Sequence, residues 1–132
     1  MAEFVWPVRV YYEDTDSGGV VYYANYLKFM ERARSEWLRS LGIEQDVLRD
    51  REKIIFAVRA VSVDFWRPAR FNELLQVSVN MTDCGGASIT FEQQVRRDDT
   101  VLCGGTVRVA CLDSGAMKPR RIPKFLLEEF VA

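Results

Sequence analysis

The alternation of apolar and polar positions predicts one long helix in the first third of the chain. Between Asn25 and Leu41, apolar residues recur at the three- and four-residue spacing of a helix with one buried face. They are Tyr26, Phe29, Met30, Ala33, Trp37, Leu38 and Leu41. Asn25 is the expected N-cap of this helix, and Gly42 is the expected stop at its C-terminal end.

Most of the remaining chain alternates with the two-residue period of half-buried strands. The predicted strands are Val8 to Glu13, Ile54 to Phe65, Leu75 to Thr82, Ile89 to Val95 and Val107 to Cys111. Hairpin turns are expected at Asp83 to Gly86 and at Arg97 to Thr100. Residues 44–52 are expected to form a short polar helix or a turn, and Met117 to Pro123 is expected to be irregular. Lys124 to Phe130 is the expected short terminal helix.

This order of elements predicts an α+β protein. A strand, a long apolar helix and a run of antiparallel strands require the helix to be buried against one face of a single curved sheet. No linker, repeat or low-complexity tract divides the chain, so residues 1–132 are expected to form a single domain.

Composition narrows the class of protein. Hydrophobic residues make up 48 % and charged residues 28 % of the 132 residues, a balance typical of soluble globular proteins. The net charge of −1 gives no bulk attraction to nucleic acid, so a nucleic-acid partner is not expected. The N-terminus lacks the pattern of a signal peptide, and no apolar run approaches the length of a membrane span.

The cysteines point to a reducing compartment. Cys84, Cys103 and Cys111 are odd in number and show no Cys-x-x-Cys spacing, which argues against a disulfide framework or a zinc site. Cys111 is expected to face the core. Together with the missing signal peptide, these thiols predict a cytoplasmic protein.

The chain contains no histidine. Ser-His-Asp and Cys-His catalysis are therefore excluded, which leaves carboxylates as the most plausible acid–base groups. Asp14 and Asp16 follow the first strand, and Gly18 and Gly19 come next. A carboxylate before a glycine turn and a helix start can combine a base with a site for a developing oxyanion. From residue types alone, an ordinary surface turn is the more common interpretation.

Several segments resemble one family. They are Trp-Pro-Val-Arg-Val-Tyr-Tyr-Glu-Asp-Thr-Asp at 6–16, the Gly-Gly-Val-Val-Tyr that follows, Glu-Arg-Ala-Arg at 31–34, Pro-Ala-Arg at 68–70 and Met-Lys-Pro-Arg at 117–120. These segments resemble the hotdog-fold acyl-CoA thioesterases, in particular those associated with the bacterial Tol–Pal system. The 4-hydroxybenzoyl-CoA thioesterases are similar but more distant. The resemblance covers nearly the whole chain and implies a curved antiparallel sheet wrapped around one long central helix.

The resemblance also implies roles for individual residues. Asp16 is the implied catalytic carboxylate, acting as general base on water or as nucleophile, and Asp14 is then structural. The backbone N–H of Tyr23 is the implied donor to the thioester carbonyl. Further substrate contacts are expected from Gly18, Gly19, Val20, Tyr26, Arg70 and Ser88. No metal or redox cofactor is implied, because coenzyme A is part of the substrate.

Two positions depart from the family pattern. Tol–Pal-type members commonly have His where this chain has Tyr23, and some hotdog thioesterases place basic residues in the hairpin turn that meets the CoA phosphates. Here that turn is Gly-Gly-Ala-Ser at 85–88, without charge. The CoA phosphates must then contact backbone amides, Ser88 or basic residues elsewhere in the chain. The alternative interpretation of those basic residues is that they are ordinary surface charges. The candidates are Arg59, Arg67, Arg70, Lys118, Arg120 and Arg121.

The expected function is hydrolysis of an acyl-CoA to a free acid and CoA, by a homotetramer or homodimer. Two alternatives stay open: hydrolysis of an acyl carrier protein thioester, and a weakly catalytic module that binds acyl-CoA or docks to a membrane-associated assembly. The length of the acyl group is also open. The aromatic residues Tyr22, Tyr26, Phe29 and Trp66 are explained equally well by an acyl pocket and by core packing.

Overall fold

The computed structural model describes residues 3–131, which form one curved antiparallel sheet and three helices. The strands are β1 Phe4–Arg9, β2 Ile54–Phe65, β3 Leu74–Gly85, β4 Ser88–Arg97, β5 Thr100–Asp113 and β6 Lys118–Pro119. Their order across the sheet is β1-β3-β4-β5-β2, and β6 pairs with β5. The helices are α1 Asn25–Ser40, α2 Gln45–Glu52 and α3 Lys124–Val131.

The long helix α1 lies on the concave face of the sheet, where it packs against β1, β3 and β4. Its buried residues are Tyr26, Phe29, Met30, Ala33, Trp37 and Leu38, which are six of the seven positions that the periodicity predicts. The sheet presents alternating apolar residues to them, including Leu75, Val77 and Val79 of β3. The α+β architecture expected from the sequence is therefore confirmed.

The C-terminal end of α1 has the predicted glycine stop. Gly42 has a φ of +83°, a conformation that residues with a Cβ adopt at a cost. Its N–H donates to Arg39 O, and the N–H of Ile43 donates to Leu38 O, which is the hydrogen-bond pattern of a Schellman motif. Ile43 is buried and anchors the chain beyond the helix.

A buried polar group joins the middle of α1 to the sheet. The side chain of Gln93 is 1 % exposed, and its Nε2 donates to Met30 O of α1 and to Ser78 O of β3. Its Oε1 accepts a hydrogen bond from Arg34 Nη1 at 2.9 Å. Since buried polar groups are costly when unpaired, this network fixes how the helix sits on the sheet.

The first predicted strand is wrong in its bounds. The strand is Phe4–Arg9, and Tyr12–Asp14 is a turn of 3₁₀ helix. Pro7 is compatible with β1 because β1 is an edge strand, which within residues 3–131 pairs only with β3. The chain turns afterwards because the Asp14 carboxylate accepts a hydrogen bond from the backbone of Tyr11.

Three boundaries in the second half also differ from the prediction. Strand β3 continues through Gly85, so the first hairpin turn lies at residues 86–87. The centre of the predicted turn, Asp83 to Gly86, is two residues earlier. Strand β5 begins at Thr100 rather than Val107, since Gly104 and Gly105 interrupt the apolar pattern without ending the strand. Residues 118–119, expected to be irregular, pair with β5 as β6.

Gly105 allows two strands to approach closely. A Cβ at this position would overlap Ser62 O and would lie 2.7 Å from Val63 Cα, both in β2. Only glycine fits here, so the residue that interrupts the apolar pattern is required by the packing of β5 against β2.

Other predicted elements agree with the structure. Strand β2, the helix within residues 44–52, the turn between β4 and β5 and the terminal helix are confirmed, and Cys111 is buried. Across residues 3–131, no helix combines the length and the apolar character needed to cross a lipid bilayer. The single domain over residues 1–132 stays a prediction, and its ends, Met1, Ala2 and Ala132, lie outside the described residues.

Candidate active site

The segment between the 3₁₀ turn and α1 is a closed loop. Thr15 and Val21 face each other in an antiparallel bridge, and the Asp16 N–H donates to Val20 O at 2.9 Å. Gly19 N–H returns to Asp16 O at 3.0 Å, and Gly19 has a φ of +78°. The turn expected from the residue types and the candidate site expected from the resemblance are therefore the same loop, which we call the Asp16 loop (residues 15–21).

Asp16 presents its carboxylate at the surface of this loop. Its Oδ1 accepts a hydrogen bond from Gly18 N–H at 2.8 Å, and the side chain is exposed. A Cβ on Gly18 would lie 3.2 Å from that oxygen, so a larger residue would crowd the carboxylate. Within residues 3–131, Oδ2 has no hydrogen-bond donor. It is free to contact a water molecule or a carbonyl carbon.

Asp14 has a different environment. It is 9 % exposed, and its Oδ2 accepts the Tyr11 N–H at 2.8 Å. Its main-chain oxygen accepts the Tyr22 N–H at 3.0 Å and Asn25 Nδ2 at 2.9 Å. The carboxylate and the main-chain oxygen of Asp14 thus both bind nearby groups of the chain, which agrees with a structural role for this residue.

The start of α1 differs from the prediction in one detail. Ala24 is the N-cap, and Asn25 is the first helical residue. The Asn25 side chain reaches away from its own helix to Asp14 O, so Asn25 is not the N-cap. A side chain at a helix start can bond its own helix or another segment, and here the neighbouring Asp14 backbone supplies the acceptor.

The Tyr23 amide precedes this helix. Asn25 N–H donates to Tyr22 O at 2.8 Å, which fixes the peptide plane between Tyr22 and Tyr23. Because a trans peptide directs its N–H opposite to its C=O, the Tyr23 N–H points away from the helix. No hydrogen-bond acceptor for this N–H occurs in the described part of the chain. A free amide at a helix start is a donor for an anion or a polarised carbonyl.

An open cleft of about 260 Å³ lies beside Tyr23. Its lining is mostly aromatic and consists of Val21, Tyr23, Tyr26, Phe65, Trp66, Arg67 and Pro68. The Tyr23 ring lies 6.0 Å from the Phe65 ring, which in turn lies 5.6 Å from the Tyr26 ring. Sequence reasoning gives Phe65 no role in the site, because its place at the end of a strand carries no signal of this contact.

Tyr26 contributes to both the cleft and the core. The residue is 4 % exposed, and its hydroxyl oxygen accepts the Ala69 N–H at 2.9 Å. Burial raises the pKa of Tyr26 above its ordinary value. The phenol is therefore neutral near pH 7. Through its hydrogen bond with Ala69 N–H, it holds the segment after β2 close to α1.

The structure brings together most of the predicted substrate-contacting residues. Gly18, Gly19 and Val20 are in the Asp16 loop, and Arg70 pairs with Val20 through a β-bridge. Ser88 is not near them, because it begins β4 at the far end of β3 from Arg70. At about 3.3 Å per residue, the 12 residues of β3 span on the order of 36 Å.

Five of the six basic candidates fall into two groups. Arg67 and Arg70 lie near the cleft and the Asp16 loop. Lys118, Arg120 and Arg121 lie by the hairpin turn, where Ile122 N–H donates to Gly86 O.

The remaining candidate, Arg59, lies at the irregularity in the pairing of β2 with β5. In the group by the hairpin turn, Arg120 donates from Nη1 to Glu52 O at the end of α2 at 3.1 Å.

The cysteines are unsuited to nucleophilic catalysis. Burial raises the pKa of Cys103 to about 12, and desolvation also raises the pKa of Cys84 and of Cys111. A thiol is a good nucleophile only as the thiolate, which these environments disfavour at neutral pH. Asp16 thus remains the strongest candidate for the reacting group.

Comparison with known proteins identifies the family. The model of the thioesterase superfamily matches residues 18–104, which include the last part of the Asp16 loop and all of α1. The chain belongs to the thioesterase superfamily. It is 47 % identical over 121 residues to the acyl-CoA thioesterase YbgC of Haemophilus influenzae, covering 92 % of this chain and 89 % of the relative.

Two further relatives agree with this assignment. The acyl-CoA thioester hydrolase YbgC of an Escherichia coli strain is 45 % identical over 128 residues, covering 96 % of this chain and 95 % of the relative. The crystal structure of a probable thioesterase from Bartonella henselae is 38 % identical with a TM-score of 0.88, covering 92 % of this chain and 100 % of that one. The hotdog fold and the predicted enzyme class, a thioester hydrolase, are therefore confirmed.

Proposed function

We propose that the protein hydrolyses acyl-CoA thioesters to a free acid and CoA, with Asp16 as the catalytic carboxylate. The observation that carries this proposal is the free carboxylate oxygen of Asp16 in a loop adjoining the unpaired Tyr23 amide. The relatives from Haemophilus influenzae and Escherichia coli are named as an acyl-CoA thioesterase and an acyl-CoA thioester hydrolase, which supports acyl-CoA as the substrate class.

In this mechanism the thioester carbonyl oxygen accepts a hydrogen bond from Tyr23 N–H. Negative charge grows on that oxygen as the carbonyl carbon is attacked, and the preoriented amide stabilises it without having to reorganise. The positive end of the α1 dipole adds to this effect.

Asp16 acts in one of two ways. As general base, it removes a proton from water while the water oxygen bonds to the carbonyl carbon, and the C–S bond then breaks to release the CoA thiolate, which takes up the proton. As nucleophile, its oxygen bonds to the carbonyl carbon and expels the thiolate, and water then hydrolyses the acyl–aspartyl anhydride. A thiolate is a stable leaving group, so neither route requires a histidine as acid.

We assign the acyl group to the aromatic cleft beside Tyr23. The cleft adjoins the proposed carbonyl donor, and its lining of rings suits an apolar group. Arg67 is then placed to meet a negative or polar substituent of the ligand.

We also propose that the protein forms a homodimer that pairs further into a homotetramer. Strand β2 is an edge strand, and Val58 and Val61 on it are 50 % and 43 % exposed. A cleft of about 300 Å³ with an apolar lining separates these valines from α1, which packs on the other half of the sheet. A second copy would cover this uncovered concave surface and the open strand edge.

The oligomer is tested by light scattering on wild type, Val61→Lys and the control Val47→Lys, whose exposed valine lies on α2. We expect a tetramer for wild type and control, and a smaller species for Val61→Lys. A monomeric wild type at micromolar concentration would contradict the proposal.

The substrate class is tested by thiol release from a panel of acyl-CoAs and matching acyl carrier protein thioesters. Faster release from acyl-CoAs supports the proposal, and faster release from the carrier protein supports the first alternative. Acyl-CoA binding without thiol release would indicate a binding module instead. Cytoplasmic location and association with the Tol–Pal system stay predictions.

A further inference from the structure

Asn25 makes two hydrogen bonds to the residues that flank the Asp16 loop, one from its main chain and one from its side chain. Its main-chain N–H donates to Tyr22 O at 2.8 Å, and its side-chain Nδ2 donates to Asp14 O at 2.9 Å. The residue is half-buried at the first position of α1. Its side chain caps no amide of the helix.

The main-chain bond acts on the peptide group that contains the proposed carbonyl donor, and the side-chain bond acts on the Asp14 oxygen next to it. Tyr22 O and Tyr23 N–H belong to one planar unit, so the bond that holds Tyr22 O also sets the direction of Tyr23 N–H. The N–H of Tyr22 donates to the same Asp14 oxygen that accepts Asn25 Nδ2. The Asn25 main chain therefore holds the C=O side of this unit, as any residue at this position would. The Asn25 side chain binds the Asp14 oxygen, which also holds the N–H of the preceding peptide unit, between Val21 and Tyr22.

The shared acceptor connects the two halves of the site. Asp14 lies two residues before Asp16, and its carboxylate is itself fixed by Tyr11 N–H at 2.8 Å. The hydrogen bond from Asn25 thus ties the start of α1 to the backbone that leads into the Asp16 loop. Within residues 3–131, no other side-chain hydrogen bond joins α1 to residues 14–21.

We propose that Asn25 is a positioning residue that aligns the Tyr23 amide with the Asp16 carboxylate. The inference rests on the proposed function, since it requires those two groups to act on one carbonyl. Catalytic groups depend on geometry so strongly that a misplacement of about 1 Å can cost a hundredfold in rate. A side chain that merely stabilised the helix start would affect folding and leave the rate of the folded enzyme unchanged.

The test compares three variants by steady-state kinetics, pH profile and thermal unfolding. Asn25→Asp keeps the shape and removes the N–H donor at neutral pH, and Asn25→Ala removes the side-chain polar group without adding charge. The matched control is Ser40→Ala, which removes a side-chain hydrogen bond to Trp37 O at the other end of the same helix. Asp16→Asn is measured in the same assay.

We expect both Asn25 variants to lose about tenfold or more in kcat with KM within about twofold, because alignment matters in the transition state. In Asn25→Ala the pH profile should keep its shape, since the titrating base is unchanged and no new titrating group is added. Ser40→Ala should lose comparable thermal stability and keep its kcat.

Three results would overturn the proposal. Wild-type kcat in both folded Asn25 variants would exclude a positioning role, and an equal loss of kcat in Ser40→Ala would show a general effect of helix stability. Unfolding of both variants while Ser40→Ala folds would make the role structural. A fully active Asp16→Asn would refute the proposed mechanism itself. An inactive Asp16→Asn together with Asn25 variants of wild-type rate would refute only the role of Asn25.

Discussion

The assignment of Tyr23 to the mechanism concerns its backbone amide, and a series of substitutions can separate that amide from the side chain. Tyr23→Phe removes only the hydroxyl group. Tyr23→Ala removes the ring but keeps the N–H, and Tyr23→Pro removes both. Proline is a reasonable replacement because this N–H has no acceptor in residues 3–131 and because Tyr22, the residue before it, lies outside the helix.

The structure gives the expected size of each effect. Tyr23 is 61 % exposed, so the removal of its hydroxyl should cost less than about 0.5 kcal/mol, or roughly twofold in rate. Loss of an oxyanion donor typically costs about 10²- to 10³-fold in kcat. We therefore expect a loss of about that size in Tyr23→Pro beyond whatever Tyr23→Ala loses.

The assay is thiol release in the pre-steady state and in the steady state between about pH 5 and pH 9, with thermal unfolding to confirm that each variant folds. Tyr23→His, which introduces the residue that the family resemblance leads us to expect at this position, should hold or raise the rate. It should also add a pH dependence near the imidazole pKa of about 6.5.

Two results would refute this reasoning. A collapse of Tyr23→Phe to the level of Asp16→Asn would show that the phenol takes part in the chemistry. Equal rates for folded Tyr23→Pro and Tyr23→Ala would show that the amide does not contribute to catalysis.

Three further predictions concern stability. Asp14→Ala should cost about 2 kcal/mol in urea unfolding, because it removes the charged acceptor of Tyr11 N–H, while Asp14→Asn should cost less. The pKa of Cys103 rises from 9.0 to about 12 in the folded state. The thiol therefore contributes stability that is present below pH 9 and is lost as the pH rises toward 12. Cys103→Ala should reduce this loss, measured as the change of the urea midpoint with pH. Gly105→Ala should be strongly destabilised or fail to fold, judged by circular dichroism, because the added methyl would overlap Ser62 O.

The sequence predicts those parts of the fold in which local pattern and tertiary packing agree. The apolar face of α1 and strand β4 belong to this group, because their burial repeats with the periods of helix and strand. The first half of β5 escapes the pattern, since Gly105 is selected by the nearness of β2 and not by hydrophobicity. The start of β1 is obscured by Pro7, which is tolerated only because that strand is at an edge.

The site was predictable to a smaller extent. The Asp16 loop could be found by resemblance to the family, and its turn could be found from its glycines. The place of Phe65 against Tyr23 depends on how the end of β2 meets the start of α1, which no local pattern records. The bond from Asn25 to Asp14 O is hidden for the same reason, because an asparagine at a helix start is normally a cap.

The most direct test of the central claim is the single-turnover rate of thiol release by Asp16→Asn. The matched control is Asp98→Asn, in the turn between β4 and β5, where the φ of 54° suits asparagine as well as aspartate. The proposed mechanism predicts that Asp16→Asn folds normally and loses roughly 10²-fold or more, while Asp98→Asn keeps the wild-type rate. A folded Asp16→Asn with the wild-type rate would contradict it and would exclude Asp16 as base and as nucleophile.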